Sequence, residues 1–249
     1  MARVSRRVFF ILSSNIMNKT LFIGGTHGDE PVGVRALEAL EGRRSDFDWI
    51  EGNPRALKVG KRFTQTDLNR SAPGDLQSKK YEERRAAELV RLSAKYEYTI
   101  DLHGTSKQTG IFLIVTNPTQ ANLRLARMLD VDRVVIWPAI TPDLEGPVSE
   151  FFPCGLEIEC GSKDAPQTQV ELERILETFL ERGERTSESE QVFYEVYGEL
   201  RGDPGVELEE FVEVTVDGET FTPLLVGTYQ DAYGVACYKL RAVNSEALR

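Results

Sequence analysis

Histidine is nearly absent from this chain: 249 residues carry two, His27 and His103. Cysteine is almost as scarce. The three present, Cys154, Cys160 and Cys237, are odd in number and form no C-x-x-C pair, which excludes a disulfide framework and fits a reducing cytosol. Positive charge is in deficit as well. Thirty Lys and Arg face forty Asp and Glu, a net charge of −10 that argues against nonspecific binding to nucleic acid or to an anionic membrane. No apolar run is long enough to span a bilayer. The first residues, MARVSRRVFFILSSN, faintly mimic a secretory signal, but the apolar run Val8–Leu12 falls short of the ~7–15 residues such a signal needs. Residues 1–19 therefore read as a loose N-terminal extension or an early start site, since Met17 directly precedes the first strand pattern, TLFIGG.

What is present is a chain with 41% apolar residues, enough for a sizeable core, patterned as alternating strands and helices. Leu21–Gly24 reads as a buried strand. Pro31 suits the first turn of a following helix. Lys80–Tyr96 has the spacing of an amphipathic helix, YTIDLHG and GIFLIVT read as strands, and TQANLRLARML as a helix. RVVIWP and GLEIEC follow as strands, then TQVELERILETFLERG as a long helix. This order predicts an α/β fold: a mixed, largely parallel sheet with helices on both faces, over residues 20–183. After Gly183 a polar stretch, ERTSESEQ, reads as a linker. Strand patterns then dominate, with FVEVTV and ETFTPL flanking an Asp-Gly turn in a hairpin signature. Residues 184–249 are thus expected to form a small β-rich domain.

Both histidines fall at the carboxyl ends of expected strands, the edge of an open α/β sheet where ligands collect. His27 and Glu30 have H-x-x-E spacing where a strand turns into a helix, and His103 lies in DLHGTS on another strand. Two imidazoles and a carboxylate make the donor set of a catalytic zinc with one position left open. Asp29 competes with Glu30 as a ligand, and Asp101 is placed to orient an imidazole from behind. GKRFTQTDLNR supplies Arg62, Asn69 and Arg70, and a guanidinium fork suits a carboxylate or a developing oxyanion. GLEIECG carries two carboxylates on one strand face, Glu157 and Glu159, and spacing alone does not choose between them as a proton shuttle.

The motifs GGTHGDE, GNPRAL…GKRFTQTDLNR, DLHGTS and GLEIECG, in that order, resemble those of the aspartoacylase and succinylglutamate desuccinylase family, whose fold is similar to that of the zinc carboxypeptidases. A weaker match, YQDAYG, falls near the C-terminus. The resemblance implies one zinc per chain on His27, Glu30 and His103, and oxyanion stabilisation by Arg62. It implies that Asn69 and Arg70 bind the substrate carboxylate, that Glu157 is the general base and then acid, and that Tyr233 closes over the substrate. It further implies a cytoplasmic amidohydrolase acting on small N-acyl amino acids. A metallocarboxypeptidase for short peptides and a zinc-binding protein without turnover are the alternatives. One departure bears on the substrate. Aspartoacylases place an arginine for the aspartate side chain ahead of the catalytic glutamate, whereas Ala139–Cys154 holds no Lys or Arg and carries Asp143, Glu145 and Glu150.

Overall fold

A computed structural model describes residues 19–138, 145–187 and 190–244. The expected extension lies almost wholly outside them, as do residues 139–144 of the arginine-free stretch. The first strand, β1 (Thr20–Gly24), is followed by α1 (Val32–Glu41), β2 (Asp48–Glu51) and α2 (Pro54–Val59). Next come α3 (Tyr81–Ser93), β3 (Tyr98–Thr105), β4 (Phe112–Val115), α4 (Gln120–Met128) and β5 (Arg133–Ile136). The chain continues through β6 (Gly155–Ser162), α5 (Pro166–Arg182), β7 (Val192–Arg201), β8 (Val214–Val216), β9 (Glu219–Leu224), α6 (Gln230–Tyr233) and β10 (Val235–Val243).

These strands form one ten-stranded sheet in the order β2-β1-β3-β6-β4-β5-β7-β10-β9-β8. β2, β1, β3 and β6 are mutually parallel, and β4 runs antiparallel to β6, so the sheet is mixed as expected. Period-two alternation sends successive side chains to opposite layers. Phe22 of β1 packs with Leu37 and Leu40 of α1 and Leu176 and Phe179 of α5, while Leu21 and Ile23 pack with Ala86 and Leu89 of α3 on the other face. Full burial of a side chain such as Phe22 contributes roughly 1.5–3 kcal/mol. Helices therefore cover both faces.

The β-rich segment after Gly183 adds its strands to this same sheet. β7 lies parallel to β5 and carries β10, β9 and β8 outward as antiparallel neighbours. Asp217 and Gly218 join β8 to β9 with φ of 51° and 82°, the left-handed pair a two-residue hairpin turn demands. Two elements near the site carry no strong periodic signal: the edge strand β2 and the six-residue α2. Local capping explains α2. Asn53 accepts the Ala56 N–H, Pro54 starts the helix, and Gly60 ends it at φ 60°. Among the described residues, no helix is long and apolar enough to cross a membrane.

Candidate metal centre and catalytic cavity

β1 and β3 lie side by side, so their carboxyl ends bring His27 and His103 together. The loop after β1 is pressed onto α2: a Cβ on Gly28 would stand 2.0 Å from the Ala56 carbonyl carbon, so only glycine fits. The Gly28 N–H also donates to the Arg62 carbonyl at 3.2 Å, tying the histidine loop to the segment that carries Arg62. That segment is anchored by Glu82 of α3. Its buried carboxylate accepts the Thr64, Gln65 and Thr66 N–H groups, the Thr64 hydroxyl and the Asn53 amide.

His27, Glu30 and His103 converge, with one donor atom from each inside a 4.8 Å span. The two Nδ1 atoms face the two oxygens of Glu30, His27 at 3.0 Å and His103 at 3.2 Å, and lie 3.3 Å from each other. Their outer nitrogens are both engaged by carboxylates. His27 Nε2 donates to Asp67 Oδ1 at 3.1 Å, and His103 Nε2 donates to Asp101 Oδ2 at 3.2 Å. Asp101 is itself held by the Thr26 hydroxyl at 2.9 Å. A carboxylate on each Nε2–H leaves the Nδ1 lone pairs aimed at one point, the arrangement that orients imidazoles toward a metal. The electrostatics agree. Burial opposes protonation of His27 and His103, yet Glu30 beside the one and Asp101 beside the other outweigh it, and both proton affinities rise. Burial likewise opposes ionisation of Glu30, but the histidines hold its carboxyl well below the usual range. A field that draws protons onto two buried imidazoles favours positive charge at their meeting point, so the donor set fits a divalent cation. Asp29 takes no part, being paired with Lys163 Nζ at 2.8 Å.

The triad opens onto a cavity of about 290 Å³, enough for a small molecule. Arg62, Asn69, Arg70, Glu157, Glu159 and Tyr233 all line it, so the structure brings together every site residue singled out from the sequence. Arg62 is held by Asp67, which accepts its Nε–H at 3.0 Å, and its Nη1 lies 3.4 Å from Glu30. Asn69 is buried, with Oδ1 accepting the Val148 N–H at 2.9 Å and Nδ2 donating to Glu157 at 3.3 Å.

The two glutamates of β6 occupy different places. Glu157 stands opposite Asp101, and Glu159 stands opposite His103, two residues nearer the carboxyl edge, and both line the cavity. Oε1 of Glu157 accepts from Asn69 and, at 2.7 Å, from Ser149. Glu159 is half-buried, and burial together with the Glu30 charge pushes its carboxyl up to about 8. Tyr233, at the end of α6, is 64% exposed, so it sits at the mouth of the cavity and not in a core.

Three residues in the cavity or behind it escape a reading of the sequence. Asp67 bridges His27 and Arg62. It lies inside the TQTDLNR stretch, where a carboxylate two residues before Asn69 is the signal that marks it. Ser149 reaches Glu157 from a 3-10 turn (Val148–Phe151) with no periodic signature. Tyr229 lines the cavity four residues before Tyr233, and the two rings lie 6.0 Å apart.

Residues 16–182 match the family model of the succinylglutamate desuccinylase/aspartoacylase catalytic domain. A probable aspartoacylase from Trichodesmium erythraeum (strain IMS101) is 29% identical over 164 residues, covering 58% of this chain and 56% of the relative. An N-acyl-aromatic-L-amino acid amidohydrolase (carboxylate-forming) B from Danio rerio is 32% identical over 151 residues, covering 52% and 48%. The chain thus spans about half the length of the curated relatives it matches. Murine aminoacylase 3 has a similar fold at 19% identity, with a TM-score of 0.69 over 93% of this chain and 97% of that one.

Proposed function

The chain belongs to the succinylglutamate desuccinylase/aspartoacylase catalytic-domain family, and on that premise we propose that it is a zinc-dependent amidohydrolase cleaving the amide bond of small N-acyl amino acids. The observation that supports this is the convergence, around one cavity, of a metal-binding triad, a guanidinium tethered beside it and a carboxylate next to it. His27, Glu30 and His103 would hold one zinc ion. Zinc supplies a Lewis acid that polarises the acyl carbonyl and makes water a nucleophile near neutral pH. Asp67 and Asp101 keep the two imidazoles oriented.

Of the two glutamates, Glu157 is the general base. Asn69 and Ser149 hold its Oε1, which fixes the carboxylate on the cavity wall and leaves Oε2 for a water. Glu157 takes the proton of the attacking water and returns it to the leaving amine as the C–N bond breaks. Arg62 offers N–H groups to the oxygen on which charge collects. Arg70 and the second Asn69 amide hydrogen hold the α-carboxylate.

The substrate side chain meets a surface short of free cations. Asp29, Glu30, Glu157 and Glu159 line the cavity, and Lys163, which also lines it, is already paired with Asp29. N-acetyl-aspartate, with two carboxylates, should therefore be a poor substrate compared with N-acyl amino acids bearing neutral or basic side chains. A panel of N-acetylated Asp, Glu, Ala, Met, Phe and Lys, run beside three dipeptides, tests both points by kcat/KM. N-acetyl-aspartate ahead by tenfold would overturn the specificity, and dipeptides ahead of every N-acyl substrate would make the protein a carboxypeptidase.

Tyr233 is placed to contact substrate at the mouth while contributing little to the core. Tyr233→Phe should raise KM severalfold and leave the melting temperature unchanged. A fall of several degrees with unaltered kinetics would mean that the hydroxyl serves the fold instead.

A further inference from the structure

Five residues of the cavity wall, Leu225, Thr228, Tyr229, Ala232 and Tyr233, come from one stretch of chain, the connection between β9 and β10. Little within this stretch holds it in place. Its helix, α6, is four residues long without a side-chain cap, and Gly227 and Gly234 turn the chain with φ of 65° and 68°. What fixes its start is Glu210, fifteen residues earlier. Oε2 of Glu210 accepts the Leu225 N–H at 2.9 Å, and Oε1 accepts the Val226 N–H at 2.6 Å.

The surroundings show that this clamp is built into the fold. Glu210 is partly buried, and burial raises the proton affinity of its carboxyl against the pull of the two N–H groups. Arg133 favours its charge only from beyond ion-pair distance, and no Lys or Arg of the described residues forms a salt bridge with it. Two peptide N–H groups are thus what offsets the lost hydration. The backbone is strained on both sides of the contact. Phe211 and Leu225 have φ of 59° and 56°, and among the described residues the only other non-glycine residue with positive φ is Asp217 of the hairpin turn. Bulky residues keep that conformation where their surroundings over-determine it. Phe211 supplies such surroundings. Its ring lies 5.5 Å from Phe112 of β4 and 5.6 Å from Tyr194 of β7, the Arg133 guanidinium stacks on it at 4.4 Å, and its N–H donates to the Pro223 carbonyl at 3.0 Å. The placement is passed along the segment by short-range bonds. Thr228 N–H donates to Leu225, Gly227 N–H to Ala236 and Tyr233 N–H to Tyr229, at 3.1, 2.8 and 2.9 Å.

We propose that Glu210 is a positioning residue for substrate capture: its carboxylate anchors the Leu225–Tyr233 segment to the sheet and so holds Tyr233 at the mouth of the cavity. The identity of the captured ligand rests on the deacylase reading, whereas the anchoring does not.

Glu210→Gln keeps one acceptor oxygen and Glu210→Ala keeps none. With the zinc-loaded protein and N-acetyl-methionine, Glu210→Ala should raise KM at least fivefold and leave kcat within twofold, with Glu210→Gln in between. In a Tyr233→Phe background the same alanine substitution should add less than twofold, because the hydroxyl it positions is already gone. The full fivefold in both backgrounds, a loss carried by kcat, or a lowered melting temperature with unchanged KM would each overturn the proposal. Hydrogen exchange of the free protein gives a readout without turnover. Amides of residues 225–233 should exchange at least tenfold faster in Glu210→Ala, while those of β3 and β6 stay as they are. Unchanged exchange at 225–233, or faster exchange throughout the sheet, would also overturn it. Faster exchange confined to 225–233, in a protein that hydrolyses no N-acyl amino acid, would keep the anchor and sink the deacylase reading.

Discussion

Treating the purified protein with a chelator should bring hydrolysis down to background, and about one equivalent of zinc should restore it. The reason is geometric. Two buried imidazoles point their Nδ1 atoms at one carboxylate from 3.0 and 3.2 Å, while Asp67 and Asp101 hold the opposite ring nitrogens. His103→Ala should have a comparable effect, because it removes a ligand and leaves Asp101 buried without its imidazole partner. Metal uptake should also release protons. The neighbouring carboxylates raise the proton affinity of both histidines, so protonated imidazole predominates below their raised pKa values and must lose its proton before it can bind. Affinity should therefore weaken as pH falls through that range. Elemental analysis and a zinc titration with a proton readout check these points. A purified protein without stoichiometric transition metal, whose His103→Ala variant works as well as the wild type, would end the metal assignment.

Glu157→Gln should lower kcat by the ~10²–10⁴-fold that accompanies loss of a general acid–base, with zinc content retained. The substitution keeps the size and hydrogen-bonding reach of the side chain but cannot carry a proton. Glu157 lines the cavity with its Oε1 held by Asn69 and Ser149, so the loss should fall on every substrate alike. Glu159→Gln should do much less. Single-turnover and steady-state rates for the two variants separate the roles. If Glu159→Gln abolished turnover and Glu157→Gln did not, the base would be Glu159.

The Gly28 contact and the Glu82 anchor show how little of this site's precision is local. His27 and Arg62 are separated by α1, β2 and α2, the last of which begins at an Asn-Pro cap and ends at a left-handed glycine. Their relative positions follow from packing against α3, which no nearby residue announces. Much else was legible in the chain. Strand-length apolar runs alternating with helical spacing specify a sheet covered on both faces, because burial demands period two from a strand and near 3.6 from a helix. The Asp-Gly step specifies its hairpin, because both residues must adopt positive φ. The grouping of His27, Glu30 and His103 was legible for the same kind of reason. With two histidines in the chain, each after a strand and one in H-x-x-E spacing, residue type and topological position leave few alternatives.

Register was not legible. Glu157 and Glu159 share a strand face, so every rule of periodicity treats them alike. What separates them is their level against β3, beside Asp101 or beside His103, and the donors that reach one and not the other. Those donors come from Asn69 and Ser149, 88 and 8 residues away along the chain. Likewise, the strands after Gly183 announce their own pairing but not that β7 docks parallel to β5 and so carries Tyr229 and Tyr233 to the cavity. Composition and spacing determined which chemical groups this protein owns and which strand ends present them. Only the tertiary structure decided which partners reach each group, Asn69 and Ser149 for Glu157 and Asp67 and Asp101 for the two imidazoles, because those contacts join segments distant in the chain.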